Sequence, residues 1–396
     1  MRLGFTPEQE AFRSEAASWL AEQLNGPFAS LKNLKSQSAM PEERRAWERA
    51  LYDAGWSVIG WPREHGGRGA TLAEQVIFAE EYARSGAPGR LNHIGIELAG
   101  PTMIQFGSPE QKARFLPKIA SGEEFWAQGY SEPNAGSDLG SVRTRAELDG
   151  DEWVVNGQKI WTSLAQYADW IFVLARTEPG SQGPKGLSFL LMPIRQPGIT
   201  IRPIRQINGE AEFNETFFDD ARTARENVVG GVGNGWQVAM GLLAFERGVG
   251  TLGQQMGFIA EYDAIVAAAK ANGMIDDPLI RRRLTDAYAG LRIMRYTALR
   301  TLSAAEGHSL SREAMTQKVY WASWYRALGE LAMDIAGQAG EVTDEGTEHL
   351  PILPNLFLST RASTIYGGTN QIQRNIIAER GLGLPREPRG DAGKPA

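Results

Sequence analysis

The chain has no cysteine in its 396 residues and only four histidines. The first absence removes disulfides, thiol nucleophiles and thiolate-held clusters, and it is compatible with a reducing compartment. His65, His93, His308 and His349 are too scattered to form a recognisable ligand motif, so no metal site is expected. Positive charge is not in excess: 41 Lys and Arg stand against 47 Asp and Glu, a formal net charge of -6, which argues against a nucleic-acid surface. No run is long and apolar enough to span a bilayer. The opening residues, MRLGFTPEQEAFRSEAASWL, mix charges with apolar residues at helical spacing and lack the apolar core of a signal peptide. The expectation is a soluble, cytoplasmic protein without membrane insertion, long enough for two or three domains.

What is present is a change of pattern along the chain. Residues 7 to about 125 read as helices. Thr6 caps and Pro7 opens the first, with Phe12, Ala16, Trp19 and Leu20 as its apolar stripe. Pro41 opens a second whose buried face suits Trp47, Leu51 and Trp56, and residues 73–85 and 109–120 supply two more. The glycine-dense segment from Trp61 to Gly69 is a loop whose glycines serve backbone turns. From about 126 to 235 strands take over, at 167–176, 186–193, 199–206 and 212–218. After Gly235, Trp236, Ala239, Leu242, Leu243, Val249, Leu252, Met256 and Ile259 recur at three- and four-residue intervals. That spacing predicts one long helix, broken if anywhere near its glycines, with further helices over 277–306, 311–340 and 360–380. The domain reading is therefore helical over 1–125, β over 126–235 and helical over 236–383, followed by a polar, Pro/Gly-rich mobile tail over 384–396. There is no internal repeat.

The densest chemistry lies in residues 127–163, AQGYSEPNAGSDLGSVRTRAELDGDEWVVNGQKIWTS. Ser131-Glu132-Pro133-Asn134-Ala135-Gly136-Ser137-Asp138 is a small-residue loop, able to turn backbone N–H groups and hydroxyls toward an anion or a polar ring. Asp149-Gly150 and Asn156-Gly157 flank Trp153, Val154 and Val155, which predicts short antiparallel strands joined by tight turns of positive φ. Trp161-Thr162-Ser163 ends the run with an aromatic plane and two hydroxyls; taken alone, Trp161 is a better core residue than a cofactor contact. Gly248-Val249-Gly250-Thr251-Leu252-Gly253 matches a dinucleotide fingerprint but follows helical periodicity instead of a strand, so it reads as close helix packing. Arg281-Arg282-Arg283 reads as a solvated helix face. Glu246 shares its helix face with Ala239, Leu242, Leu243, Val249, Gly250 and Gly253. A carboxylate there is either half of a buried ion pair, which spacing alone favours, or a general base whose pKa desolvation has raised.

The run from Tyr130 to Asp138, taken with Asn156-Gly157-Gln158-Lys159-Ile160-Trp161-Thr162-Ser163, resembles the signature of the acyl-CoA dehydrogenase family, flavoenzymes that desaturate acyl thioesters. The likeness extends from Phe5-Thr6-Pro7-Glu8-Gln9 to Asn370-Gln371-Ile372-Gln373-Arg374. It implies an α+β, mainly α fold: an N-terminal helical domain, a middle antiparallel β domain and a C-terminal helical bundle. It also implies FAD, an acyl-CoA substrate, a trans-2-enoyl-CoA product and an electron-transfer flavoprotein as acceptor. Matching positions place Gln128, Tyr130, Ser131, Gly136, Ser137, Trp161, Thr162 and Ser163 at the flavin, joined by Thr369 and Gln371 from near the C-terminus. Ser137, Arg247 and Gly368 fall beside the substrate. One branch of the family carries its catalytic base on a helix directly before an arginine, as in Glu246-Arg247. The other location is a Tyr-Glu-Gly-Thr loop, which reads Tyr366-Gly367-Gly368-Thr369 here, so Glu246 is the expected base. Gly367 retains a backbone N–H, which the resemblance assigns to the thioester oxygen together with a ribityl hydroxyl of FAD.

Two segments depart from the family pattern. Members reach a neighbour's FAD with Arg-x-x-Phe-Gly and Gly-Gly-x-Gly-Phe, where this chain has Ala267-Ala268-Ala269-Lys270-Ala271-Asn272-Gly273 and Gly337-Gln338-Ala339-Gly340-Glu341-Val342. The arginine is missing, and Glu341 would set an acidic group near a diphosphate. A tetramer mixed with a paralogous companion subunit is expected; the rival is a homotetramer using another arginine, such as one of Arg281 to Arg283. Two further functions stay open on the same fold, an oxygen-using oxidase or monooxygenase and a non-catalytic subunit that completes a partner's site. A base on the helix with glycine on the loop leaves room beside the acyl α and β carbons for branched or ring-bearing groups.

Overall fold

The computed structural model describes residues 5–386 apart from 35, 37–38, 246–248, 305–311 and 343–349. Its contacts fall into two compact units that divide between Met256 and Gly257. In the first unit, helices begin where the sequence supplies a cap. Thr6 accepts from the Gln9 N–H while the Gln9 side chain accepts from the Thr6 N–H, opening α1 (Pro7–Leu24). The same reciprocal box is built by Thr71 and Glu74 before α3 (Leu72–Arg84), which follows α2 (Pro41–Asp53). Ser108 and Gln111 repeat it before α5 (Pro109–Ser121), which follows α4 (Gly100–Phe106). An aromatic core holds α1 to α3: Trp19 stacks on Trp47 with centroids 5.4 Å apart, and Trp56 on Phe78 at 5.2 Å. The loop after Trp61 is structural, as expected, since a Cβ on Gly67 would fall 2.0 Å from the Trp61 carbonyl oxygen.

Eight strands follow: β1 (Trp126–Gly129), β2 (Arg145–Asp149), β3 (Glu152–Ser163), β4 (Trp170–Arg176), β5 (Leu187–Pro193), β6 (Ile199–Ile204), β7 (Phe213–Ala224) and β8 (Val228–Val229). They form one sheet in the order β6-β7-β3-β2-β4-β5-β8, mostly antiparallel, with β1 added parallel to β4. The strand expected from residue 167 begins at Trp170, because Leu164 at φ 51° leads into a short 3-10 turn over Ala165–Tyr167. The strand expected to end at 218 runs on to Ala224.

Asp149-Gly150 makes the turn between β2 and β3, but Asn156-Gly157 does not make one. It lies inside the twelve-residue β3, opposite an irregularity in which β7 carries the extra residues around Asp220, itself at φ 51°. The Asn156 side chain brackets that bulge, donating to Asp220 Oδ1 at 2.9 Å and accepting from the Asp220 N–H at 3.0 Å. Gly157 is required for a different reason than a turn: a Cβ there would sit 2.6 Å from Thr144 Oγ1 and 2.8 Å from Thr144 Cα. Gly157→Ala is expected to destabilise the fold by about 1–3 kcal/mol, read from the shift in its urea midpoint, since the nearest obstacle includes backbone that cannot turn aside.

Helix α6 (Gly235–Phe245) packs into a second core of this unit, where Val238, Ala239 and Leu242 are buried with Met103, Phe115 and Trp126. A Cβ on Gly241 would strike the Phe106 ring at 2.5 Å. The long helix expected after Gly235 is described as α6 and α7 (Val249–Ala271). Glu246, Arg247 and Gly248 lie between them, outside the described residues.

The second unit continues α7 and adds α8 (Pro278–Ala304), α9 (Arg312–Ala336), α10 (Ile352–Thr360) and α11 (Asn370–Ile376). Its core joins Ile265 and Ala269 of α7 to Leu284, Leu328, Leu331, Ile335 and Leu356. Helix α9 stops at Gly337, whose φ of 56° suits a helix end. The helix expected over 360–380 is interrupted. A 3-10 turn over Arg361–Thr364 gives way to Gly367 at φ 61° and Gly368 at φ 89°, which cannot continue a right-handed helix. Thr369 then restarts it, its hydroxyl accepting from the Ile372 N–H at 3.1 Å. Among the described residues no helix is long and apolar enough to cross a membrane, and no group of three or more His, Asp or Glu is placed to hold a metal ion.

Candidate active site

In the first unit, the small-residue loop is shaped from beneath by a buried ion pair that the sequence reading passed over. Lys159 is completely buried on β3, and its ammonium donates to Glu132 Oε1 at 2.8 Å, the Tyr130 carbonyl at 3.0 Å and the Leu174 carbonyl at 2.8 Å. The Glu132 carboxylate also accepts from the backbone N–H groups of Arg143 at 2.6 Å and Thr144 at 2.8 Å. Burial pushes the Lys159 ammonium down to about 8 even with Glu132 alongside. Burial pushes the Glu132 carboxyl up, but the charge and hydrogen bond of Lys159, with the two amides, outweigh it and hold the carboxyl below its ordinary value. Both groups are thus ionised at neutral pH.

With its carboxylate anchored inward, Glu132 exchanges backbone hydrogen bonds with Ala135, both at 3.0 Å, and the Ser131 carbonyl accepts from the Ile160 N–H at 2.9 Å. The loop is tied to β3, and Asn134, Gly136 and Ser137 are left exposed on its outer side. Nothing lies within 4 Å of where a Gly136 Cβ would be. Gln128 sits half-buried on β1 and Ser131 half-buried at the loop's start. Tyr130 differs from these. Its ring is in the core, edge-on to Phe172 and Phe189 and in one cluster with Ala135 of the loop.

At the far end of β3 the strand changes face. Trp153, Val155 and Lys159 point inward, and regular alternation would carry Trp161 inward with them. Instead a bulge sets two residues, Ile160 and Trp161, against one on β7 between the pairs Lys159–Thr216 and Thr162–Asn214. Trp161 takes φ 61°, a conformation a bulky residue rarely adopts, and it is 55% exposed with the Phe213 ring edge-on to it. Thr162 turns inward in its place, fully buried, its hydroxyl accepting from Thr216 Oγ1 at 3.3 Å. The Thr162 side chain is therefore withdrawn from the surface that Trp161 and the half-buried Ser163 share. A strained, outward aromatic plane beside an anchored loop of glycine and serine fits a planar, polar cofactor such as an isoalloxazine ring.

The second unit holds the other expected residues. Gly367 is exposed, and among the described residues its N–H donates to none. Its carbonyl accepts from Gln373 Nε2 at 3.1 Å, and Gly368 packs so closely on that amide that a Cβ would lie 2.5 Å from it. Thr369, spent as a helix cap, and Gln371 line a cleft of about 300 Å3 whose cationic members are Arg326 and Arg374. Arg281 and Arg282 are exposed and Arg283 is half-buried, and each has a carboxylate of this chain within 4 Å: Asp276 at 3.4 Å, Asp286 at 3.9 Å and Asp334 at 2.6 Å.

Comparison with known proteins matches the chain from end to end. The acyl-CoA dehydrogenase N-terminal domain model covers residues 6–123, the middle-domain model 127–221 and the C-terminal-domain model 233–382. The chain is 56% identical over 387 residues to acyl-CoA dehydrogenase IpdE1 of Mycobacterium tuberculosis, covering 96% of this chain and 99% of that one. It is 53% identical over 397 residues to IpdE1 of Mycolicibacterium smegmatis, covering 97% and 100%. Among solved structures, the Tcur3481-Tcur3483 steroid ACAD superposes with a TM-score of 0.85 at 31% identity, covering 98% of this chain and 100% of that chain. The ChsE4-ChsE5 complex of Mycobacterium tuberculosis gives a TM-score of 0.82 at 31% identity over the same shares.

Proposed function

Because the chain belongs to the acyl-CoA dehydrogenase family, we propose that it removes the α proton and the β hydride of an acyl-CoA thioester to give a trans-2-enoyl-CoA. FAD, when bound, supplies the hydride acceptor. The observation that carries the reading is Trp161, forced outward by a bulge at φ 61° beside a loop locked by Glu132 and Lys159.

The residues divide the work by charge. Gln128, Ser131, Gly136, Ser137, Trp161 and Ser163 orient the flavin from the first unit, with Tyr130 and Thr162 contributing backbone and register. Thr369 and Gln371 are the further flavin residues proposed, on the sequence match alone. Removing the α proton places negative charge on the thioester oxygen, and the Gly367 N–H is the donor assigned to it. One such donor is worth about 3 kcal/mol in the transition state. Ser137, Arg247 and Gly368 are the residues proposed to bind the substrate. Glu246 is the base. The sequence match of Glu246-Arg247 supports this assignment, and a carboxyl taken out of water accepts protons better than one left in it.

The substrate class follows from the missing loop carboxylate. With glycine at 367 and the base on a helix, a ring-bearing acyl group fits, and likeness to a protein described as a steroid ACAD supports that choice. Electrons pass to an electron-transfer flavoprotein in the cytoplasm. The assembly is a tetramer shared with a paralogous subunit. Residues 267–271 end a helix without the expected arginine, Arg281 to Arg283 already face carboxylates of their own chain, and a structural relative is a two-component complex.

Two measurements test this. Anaerobic addition of a ring-bearing acyl-CoA to flavin-loaded protein should bleach the flavin and yield enoyl-CoA; rapid reoxidation in air would indicate an oxidase instead. FAD content of the chain purified alone should be low and should rise on co-expression with a companion subunit. Close to one flavin per chain without any companion would overturn the mixed assembly.

A further inference from the structure

Lys318 on α9 has no part in the roles assigned so far, yet it underlies the turn that carries Gly367. Its ammonium donates to the Ser363 carbonyl at 2.7 Å and lies 4.1 Å from the centre of the Trp321 ring and 4.5 Å from that of Tyr366. A Cβ built on Gly367 would come 3.7 Å from Lys318 Cε and 3.9 Å from its Nζ. The cation is therefore fixed by a carbonyl and two aromatic faces directly beside the first atom any side chain at 367 would have. These contacts also tie the entry to the turn, Ser363 before it and Tyr366 at its start, to α9.

We propose that Lys318 is a positioning residue for thioester binding: it fixes the Tyr366–Gly367–Gly368 turn and sets a permanent positive charge beside it, so that position 367 acts through its backbone N–H alone. The inference deepens the acyl-CoA reading and rests on it. An oxygen held by the Gly367 N–H gains negative charge as the α proton leaves, and a half-buried cation nearby lowers the energy of that state more than of the neutral thioester. The same cation makes the turn a poor place for a base. A carboxylate grown from 367 would meet an ammonium and be held ionised and weakly basic, and φ 61° already disfavours any side chain there. Glycine at 367 and lysine at 318 thus act as a unit.

The test compares Lys318→Met, Lys318→Arg and Lys318→Ala in the flavin-loaded enzyme, with its companion subunit if one is required. Lys318→Met should lower kcat by about tenfold with a smaller change in KM. It should also weaken the spectral change produced when a non-reducible acyl-CoA analogue binds beside the flavin. Lys318→Arg should keep most of the activity, and millimolar ethylammonium should restore part of it to Lys318→Ala. Wild-type kcat in Lys318→Met overturns the proposal, as does a failure of both the arginine and the soluble amine to rescue. A wild-type enzyme that no acyl-CoA reduces would instead overturn the functional reading, so the two failures are distinct.

Discussion

Glu246→Gln should abolish turnover, lowering kcat by about 10⁴-fold, the upper range for loss of a positioned general base, while the protein still binds flavin. The amide matches the carboxylate in shape and cannot accept a proton. A proton α to a thioester is only weakly acidic, and water is too weak a base to replace the missing carboxylate. The loop alternative is closed to this chain: Gly367 has no side chain, and Lys318 lies against the space a carboxylate would need. The check is stopped-flow reduction of the variant's flavin by acyl-CoA, with flavin content and melting temperature as controls. Near-normal reduction would remove Glu246 from the mechanism. Loss of activity with intact flavin would also exclude the purely structural-subunit reading for a complex that is active in the wild type.

Much of this architecture was legible because it is written in local chemistry. Thr6-Pro7 with Gln9, Ser108-Pro109 with Gln111 and the apolar stripe of Ala16 and Leu20 each specify a helix without help from the rest of the chain. The small-residue loop and Trp161 pointed to a common site only as a joint motif. By alternation alone Trp161 belongs inside, since Trp153, Val155 and Lys159 precede it on the inward face; the bulge that reverses it depends on pairing with β7, which a single strand does not encode. Asn156-Gly157 misled for the same reason. Its turn-like composition serves a bulge on the partner strand and a close approach to Thr144, both long-range facts. The break at Gly367-Gly368 could have been read from two adjacent glycines followed by a capping threonine, a signal that the helical pattern on either side outweighed. Lys159 carried a further signal: period two from Val155 puts a lysine on a buried face, and such a residue demands a carboxylate partner.

That partner makes the second large effect. Lys159→Met should destabilise the first unit by about 3–5 kcal/mol, because removing one member of a buried pair leaves the other charged and unpaired. The Tyr130 and Leu174 carbonyls lose their donor at the same time, while the two backbone N–H groups of Arg143 and Thr144 still point at a carboxylate with no cation. Glu132 can then be accommodated only by protonation or by moving outward, and outward movement unties the turn from Glu132 to Ala135 that holds Gly136 and Ser137 in place. Flavin content should therefore fall along with the denaturation midpoint. Lys159→Met combined with Glu132→Gln should recover part of the stability, because an amide in place of the carboxylate leaves no buried charge, although its NH2 faces the same donors and makes the rescue incomplete. A single variant less than about 1 kcal/mol below wild type with full flavin would mean that β3 holds the loop by strand pairing alone. Measured additivity in the double variant would mean that Glu132 and Lys159 act independently, despite the 2.8 Å between them.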